Sequence, residues 1–219
     1  MRFRAAIFDL DGTLVDSLAD IANAANEVLE KQGFPTHPIA DYRYFVGDGV
    51  SKLFQRILPA AEVTDERLAE SLRGFDEVYG RICNQHTKLY HGVVEMIAEL
   101  REMKVALAVL SNKPQHFTEQ VVSDFFPQSD FAVVAGQRNE IPRKPDPAGA
   151  HVILQTLGVA PTECVYLGDT AVDMLTACRA GLVAVGALWG FRTRDELQSH
   201  GAHYLIEHPR EFTAIVRGE

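Results

Sequence analysis

The chain has 219 residues, 47% of them hydrophobic and 23% charged, ordinary values for a globular protein that holds one large domain or a core with a smaller companion. Its formal net charge of −9, from 21 Lys and Arg against 30 Asp and Glu, argues against nonspecific binding to nucleic acid or to an anionic membrane. A small anionic substrate stays open, because a local metal ion or lysine overrides the global field.

Residues 3–8 form a short apolar run that reads as a strand, ended by Asp9, Leu10, Asp11 and Gly12. Side chains alternate along a strand, so Asp9 and Asp11 point to one side at its C-terminal edge. Two carboxylates that close repel each other. A bound cation, or a division into ionised nucleophile and protonated acid, resolves the conflict.

After Ser17 the period changes to that of a helix, with Leu18, Ile21, Ala22, Ala25, Val28 and Leu29 on one face and Gly33 and Pro35 as the stop. Ser17 and Asp20 resemble a capping box. Val50, Leu53, Phe54, Ile57 and Leu58 make a second helical stripe, and Leu68, Leu72, Phe75, Val78 and Ile82 a third. No strand signal interrupts this helical block before residue 90.

A helix carrying Val93, Ile97, Leu100 and Met103 then leads into the run Val105–Leu110, typical of a strand buried on both faces. Helical stretches near 114–124, 147–157 and 170–179 alternate with apolar runs at 131–135, 164–167 and 183–187. Such βα alternation predicts a parallel sheet covered by helices. The helical block follows the first strand, so it reads as an insertion. The expected division is a discontinuous α/β core, residues 1–16 and 90–219, with a helical domain over 17–89.

Cys83, Cys164 and Cys178 are widely spaced without a C-x-x-C pair, and read as reduced, buried thiols. His200 and His203 read as surface loop. No apolar run approaches membrane-spanning length, and no leader precedes the first strand, so the expected compartment is the cytoplasm.

Ligands of open parallel sheets bind beyond the C-terminal strand ends. Asp9 and Asp11 follow the first strand; Ser111, Asn112 and Lys113 follow the run ending at Leu110; Asp169, Thr170 and Asp173 follow the run ending at Leu167. Lys144 precedes a helix with proline at its start. Oxygen-only ligands without Cys or His favour Mg²⁺ over zinc. Ser111 and nearby backbone N–H groups can hold phosphoryl oxygens, with Lys144 a fixed positive charge. A carboxylate beside a held phosphoryl group is a feasible nucleophile, and its neighbour can protonate the leaving oxygen and then activate water.

Asp9-Leu-Asp11-Gly12-Thr13, the run into Ser111-Asn112, Lys144-Pro145 and Gly168-Asp169-Thr170-Ala-Val-Asp173 resemble, in order, the four motifs of the haloacid dehalogenase superfamily. The resemblance implies a Rossmann-like core, with the helical insertion as a cap domain. It assigns Asp9 as nucleophile and metal ligand, and Asp11 as general acid/base with its carbonyl on Mg²⁺. Ser111, with the Asn112 amide, would hold the phosphoryl group, and Lys144 would pair with Asp9 and the phosphate. Asp169 would be the second carboxylate on the metal. Asp173 would be a ligand through water or an orienting group; a favourable charge in the first turn of a helix is the plainer reading.

A carboxylic acid at Asp11 suits an alkoxide leaving group; the resembling dehalogenases carry an aromatic residue there and the phosphonate hydrolases an alanine. Thr13 stands where the sugar-phosphate mutases usually have valine or isoleucine. Asp11-Gly12-Thr13-Leu-Val-Asp16-Ser17, Phe45-Val-Gly47-Asp48-Gly49-Val50 and Leu188-Trp189-Gly190-Phe191-Arg192 look most like the phosphoglycolate phosphatases. Gly47 and Gly49 bracket Asp48 in a turn that either folds over the active site or leaves Asp48 as a helix N-cap. Arg43 and Lys52 flank it, able to meet a substrate carboxylate or to stay solvated. Trp189 and Phe191 either close over the site or pack in the core.

The expectation is a Mg²⁺-dependent phosphomonoester hydrolase with an aspartyl-phosphate intermediate, acting on 2-phosphoglycolate. Alternatives are a pyrophosphatase, another small sugar-phosphate phosphatase, a β-phosphoglucomutase-like phosphotransferase, or a catalytically silent phosphate-binding protein. The expected partner is a small phosphorylated metabolite, without nucleic acid or membrane, for a monomer or homodimer.

Overall fold

The computed structural model describes residues 3–219. In chain order the elements are β1 (Ala5–Phe8), β2 (Val15–Asp16), α1 (Leu18–Lys31), α2 (Tyr42–Phe45), α3 (Val50–Ile57), α4 (Asp65–Ile82) and β3 (Lys88–Leu89). Then come α5 (Val93–Glu102), β4 (Ala106–Pro114), α6 (Gln115–Phe125), β5 (Val133–Gln137), α7 (Ala148–Leu157) and β6 (Cys164–Gly168). The chain closes with α8 (Ala171–Arg179), β7 (Val183–Ala187), α9 (Arg194–Ser199), β8 (Tyr204–Ile206) and α10 (Pro209–Arg217). Two compact units result: the stretch that ends at Asp16 together with Leu89–Glu219, and Ser17–Lys88.

The first unit is α/β. Its six strands form one parallel sheet in the order β5-β4-β1-β6-β7-β8. β1 lies at the centre, where the order reverses: the chain runs outward through β4 and β5, then returns to build β6, β7 and β8. Phe8 is in register with Val109 on one side and Leu167 on the other, and every residue of β1 and β6 is buried. A strand covered on both faces is an unbroken apolar run, which is why these segments show no alternation. The switch at β1 opens a crevice beyond the strand ends, and Asp9 sits at its mouth with its N–H on the Leu167 carbonyl at 2.9 Å.

The structure departs from the sequence expectation at β4 and at two of the cysteines. β4 does not stop at Leu110 but runs on to Pro114, with a register shift against β5 between those residues. Its polar extension is held because Gly136 of β5 leaves room: a Cβ there would lie 2.5 Å from Thr118 Oγ1 and 2.8 Å from the Lys113 carbonyl. The chain after 187, for which no element was predicted, continues the α/β pattern. It adds α9, β8 and α10, and Phe212 of α10 packs on Phe8 with ring centroids 5.4 Å apart. Of the cysteines only Cys164 is buried; Cys83 is half-buried and Cys178 exposed. His203 takes the Ala184 N–H on Nδ1 at 3.0 Å beside the sheet edge.

The second unit is helical. α1 packs along α4, whose Gly74 meets Val28 closely: a Cβ there would stand 3.3 Å from Val28 Cγ2. Phe75 stacks on Tyr79 at 5.2 Å and meets Phe54 edge-on at 6.0 Å. The Ser17–Asp20 capping box does not form, since the Ser17 side chain makes no cap hydrogen bond. Buried Asp20 instead accepts from the His86 N–H at 3.0 Å, the Thr87 N–H at 2.9 Å and the Thr87 hydroxyl at 2.6 Å. A buried carboxylate needs such donors, and here they tie the start of the insertion to its end. Among the described residues no helix is long and apolar enough to cross a membrane.

Candidate active site

The turn after β1 is tight. The Leu14 and Val15 N–H groups return to the Leu10 carbonyl at 3.0 and 3.1 Å, and Gly12 takes φ +93°. Positive φ favours glycine, and space demands it as well, for a Cβ would lie 2.3 Å from Asp169 Oδ2. Gly190 approaches from the loop after β7, where a Cβ would fall 2.3 Å from Asp169 Cβ. Two glycines thus bring backbone against the side chain of Asp169.

Asp169 is fully buried, with Oδ1 accepting from the Thr13 hydroxyl at 3.0 Å and Oδ2 from the Phe191 N–H at 2.7 Å. The Trp189 indole donates to the Thr13 carbonyl at 3.0 Å, closing the 188–192 loop onto the same turn. Phe191 packs in the core, 4% exposed.

Lys144 is buried with its ammonium 2.7 Å from Asp9 Oδ1, 2.7 Å from Asp173 Oδ1 and 3.1 Å from the Tyr166 hydroxyl. Its three donors are therefore spent. Its main chain is clamped by the Asn112 side chain, which accepts from the Lys144 N–H at 2.9 Å and donates to the Lys144 carbonyl at 3.1 Å. Asp173 takes Lys144 and the Tyr166 hydroxyl (3.2 Å) on Oδ1, and the Thr170 N–H (3.0 Å) and hydroxyl (2.7 Å) on Oδ2. A carboxylate offers about four acceptor positions, and all four are occupied. The first-turn reading of Asp173 also holds, because it closes a capping box with Thr170 at the start of α8. Asp9, by contrast, has one oxygen on Lys144, and its other oxygen accepts no hydrogen bond among the described residues.

The electrostatics follow from burial. Desolvation, then the nearby Asp173, hold the Asp9 carboxyl well above the usual carboxylate range against the pull of Lys144. Burial and Asp173 push Asp169 up to about 7, with the Phe191 N–H and Thr13 hydroxyl pulling the other way. Desolvation works against the charged Lys144, but Asp173 and Asp9 outweigh it and hold the ammonium well above its ordinary value. Carboxylate oxygens of Asp9, Asp169 and Asp173 all lie within 4.8 Å of one another. Three carboxylates against one ammonium leave surplus negative charge in a buried, oxygen-only setting, and that donor set fits a hard divalent cation such as Mg²⁺.

Ser111 and Lys113 lie beside this cluster on the β4 extension. The Lys113 N–H donates to Ser111 Oγ at 3.2 Å, and the Lys113 ammonium reaches the two oxygens of Asp11 at 3.0 and 3.1 Å.

The haloacid dehalogenase-like hydrolase model matches residues 6–187, a span that takes in all four motif segments. The chain belongs to that family.

This haloacid dehalogenase-like hydrolase is 34% identical over 218 residues to the phosphoglycolate phosphatase of Xanthomonas campestris pv. campestris strain 8004, covering 97% of this chain and 96% of the relative. It is 30% identical to the phosphoglycolate phosphatase of Pseudomonas putida KT2440, over 98% of this chain and 79% of that one. Among solved structures, an inferred phosphoglycolate phosphatase from Lactobacillus delbrueckii subsp. bulgaricus superposes at a TM-score of 0.94, with 31% identity over the whole of both chains.

Asp9, Asp11, Ser111, Asn112, Lys144, Asp169 and Asp173 thus lie together in the α/β unit of this family member. Arg43, Gly47 and Lys52 belong to the helical unit. There the Arg43 guanidinium lies 5.7 Å from the Tyr44 ring centroid, and Gly47 takes φ +111°. Lys52 is exposed on α3. The N-cap of α3 is Gly49, while Asp48 pairs with Arg56 at 2.5 Å and Arg56 also donates to the Phe45 carbonyl at 2.8 Å. Arg56 thus ties the turn to α3. Tyr166, which lies in no motif, and Thr13 and the Phe191 N–H, which lie within quoted segments, are groups that touch the cluster without having been assigned a role there. The first is a tyrosine in an apolar strand, the second the residue beside a glycine turn, and the third a main-chain atom carrying no sequence signal.

Proposed function

We propose that this phosphoric monoester hydrolase cleaves 2-phosphoglycolate through a covalent aspartyl-phosphate on Asp9, in a Mg²⁺-dependent reaction. The observation that carries the chemistry is the asymmetry of Asp9: Lys144 pins one oxygen at 2.7 Å, and the other accepts nothing among the described residues. The substrate rests on the names of the relatives from X. campestris and P. putida.

In the first step an Asp9 oxygen attacks phosphorus, the P–O bond to the leaving alcohol breaks, and Asp11 gives its proton to the departing oxygen. In the second, Asp11 accepts a proton from water as that water attacks the phosphoaspartate, freeing phosphate and restoring Asp9. The Ser111 hydroxyl and the Asn112 N–H hold phosphoryl oxygens, and Lys144 balances charge on Asp9 and the phosphoryl group. Asp9, Asp169 and the Asp11 carbonyl would hold Mg²⁺. Asp173, its acceptors filled, acts by orienting Lys144. When bound, the cation supplies positive charge where the phosphoryl oxygens gather.

The test is phosphate release, with and without Mg²⁺, from 2-phosphoglycolate, pyrophosphate, β-glucose 1-phosphate and short sugar phosphates. A Mg²⁺-dependent preference for 2-phosphoglycolate is expected, and Asp9→Asn should abolish turnover while leaving the thermal melt cooperative. Chelator-resistant turnover, or an active Asp9→Asn protein, refutes the mechanism. A preference for another phosphate removes the substrate.

A further inference from the structure

Lys113 is a charged side chain of the core site that the mechanism above leaves without a task. Lysine is seldom buried, because its ammonium is costly to desolvate, yet the Lys113 side chain is only 5% exposed. It is held at several points. Its N–H rests on Ser111 Oγ at 3.2 Å, its carbonyl accepts from the Thr118 hydroxyl at 3.1 Å, and its ammonium lies 3.0 and 3.1 Å from the two oxygens of Asp11. Strand alternation sends Ser111 and Lys113 to one side of β4 and Asn112 to the other, consistent with Asn112 being spent on the Lys144 main chain.

The site therefore contains two buried ammonium groups with different surroundings. Lys144 has its donors on Asp9, Asp173 and Tyr166, on the side of the nucleophile. Lys113 is fixed on Asp11, the group that hands its proton to the leaving oxygen. A cation at that point faces the leaving group rather than the phosphoryl oxygens already served by Lys144 and Ser111. In a monophosphate of a 2-hydroxy acid, the carboxylate sits on the carbon next to the ester oxygen, and ordinary bond lengths put its oxygens about 3 Å from that oxygen. An ammonium in contact with Asp11 lies within reach of such a carboxylate, and its three rotatable donors allow it to bridge two carboxylates.

We infer that Lys113 is a specificity-determining residue that holds the carboxylate of the leaving group, so that the substrate class is the monophosphates of small 2-hydroxy acids. The inference rests on the phosphatase reading above. It places carboxylate recognition on the β4 extension of the α/β unit, instead of on Arg43 or Lys52.

The experiment compares kcat/KM for 2-phosphoglycolate with that for ethyl phosphate, whose leaving group is of similar size without the carboxylate. It is run on wild type, Lys113→Gln, Lys113→Met, Lys113→Arg, Arg43→Ala and Lys52→Ala, with a melt to verify folding. Any effect on the positioning of Asp11 falls on both substrates and cancels in the ratio. The neutral Lys113 variants are expected to lower the preference for 2-phosphoglycolate by about tenfold or more, the scale of one charge-assisted hydrogen bond, chiefly through KM. Lys113→Arg, which keeps the charge, should retain most of the preference. Equal losses on both substrates, an unchanged ratio, or a selective loss only in Arg43→Ala or Lys52→Ala would overturn the inference. If neither neutral variant folds, wild type decides: less than about a tenfold preference for 2-phosphoglycolate over 2-phosphoglycolamide overturns it on the same scale. A wild-type enzyme that hydrolyses other phosphates but not 2-phosphoglycolate defeats the proposed substrate, and this inference with it. A uniform loss in a 2-phosphoglycolate-selective enzyme defeats this inference alone.

Discussion

Crowding buried carboxylates around Lys144 makes the stability of the metal-free protein depend on pH in a direction opposite to ordinary acid denaturation. Asp169 titrates near 7 in the folded protein against 3.8 for an unperturbed side chain, chiefly through burial and then Asp173. A raised folded value means that the native state binds the proton more tightly than the unfolded chain does. The associated stability is fully present below the unfolded value and is lost as pH climbs through the folded one. At about 1.4 kcal/mol per unit, a rise of about three units corresponds to ~4 kcal/mol by pH 8, and roughly half of that falls between pH 5.5 and 8. For a chain of this length, 2 kcal/mol moves Tm by about 4–8 °C. Asp9 shifts in the same direction and adds to the effect. Lys144, held above its ordinary value, loses its contribution only at more alkaline pH. Glu27 and Glu163, both lowered, weaken the fold only as pH falls below the ordinary glutamate range.

The assay is a series of thermal melts from pH 5.5 to 8 in chelator and in excess Mg²⁺. In chelator, Tm should fall as pH rises. Mg²⁺ stabilises the ionised carboxylates, so the Mg²⁺-induced increment should grow from small at pH 5.5 to its full value at pH 8. Asp169→Asn removes the titrating group and should flatten both trends. An increment that is the same at both pH values, or a chelated protein more stable at pH 8 than at 5.5, refutes the reasoning.

Tyr166→Phe removes the hydroxyl that lies 3.1 Å from the Lys144 ammonium and 3.2 Å from Asp173. A loss of ~2 kcal/mol is expected in denaturant melts, the scale of a hydrogen bond to a charged group. With Lys144 less firmly held, kcat should fall about tenfold while KM moves little. Gly190→Ala places a Cβ 2.3 Å from Asp169 Cβ and 2.5 Å from its Oδ2. Overpacking of that kind costs about 1–3 kcal/mol, and Asp169 can relieve it only by moving. The Mg²⁺ concentration for half-maximal activity should therefore rise along with the fall in Tm, whereas a drop in Tm with unchanged Mg²⁺ dependence would separate Asp169 from the cation.

Much of the fold was legible because periodicity and burial are local records. The apolar runs at 3–8, 105–110, 164–167 and 183–187 each correspond to a strand of the parallel sheet, since strands covered on both faces exclude polar residues. The elements that escaped notice are short or amphipathic in ways that local patterning does not separate from loop. α2 has 4 residues and β8 has 3, and the β4 extension is polar because its side chains belong to the site. The proposed capping box at Ser17 failed for a different reason: Asp20 found donors at His86 and Thr87, far along the chain, where local geometry had offered it only Ser17.

The sequence by itself determined which acidic, hydroxyl and basic residues would gather. Most follow the end of an apolar run, and a parallel sheet presents such ends on one edge; Lys144 comes shortly before α7, and Asp173 lies in the first turn of α8. Only the tertiary structure decided how those groups divide the work. It filled every acceptor of Asp173, while one oxygen of Asp9 accepts nothing among the described residues. It set Tyr166 beneath Lys144, placed the Phe191 N–H on Asp169, and turned Lys113 toward Asp11. Those pairings join residues 22 to 102 positions apart. Strand register and the close approaches at Gly12 and Gly190 select such partners, and neither leaves a periodic trace in the chain.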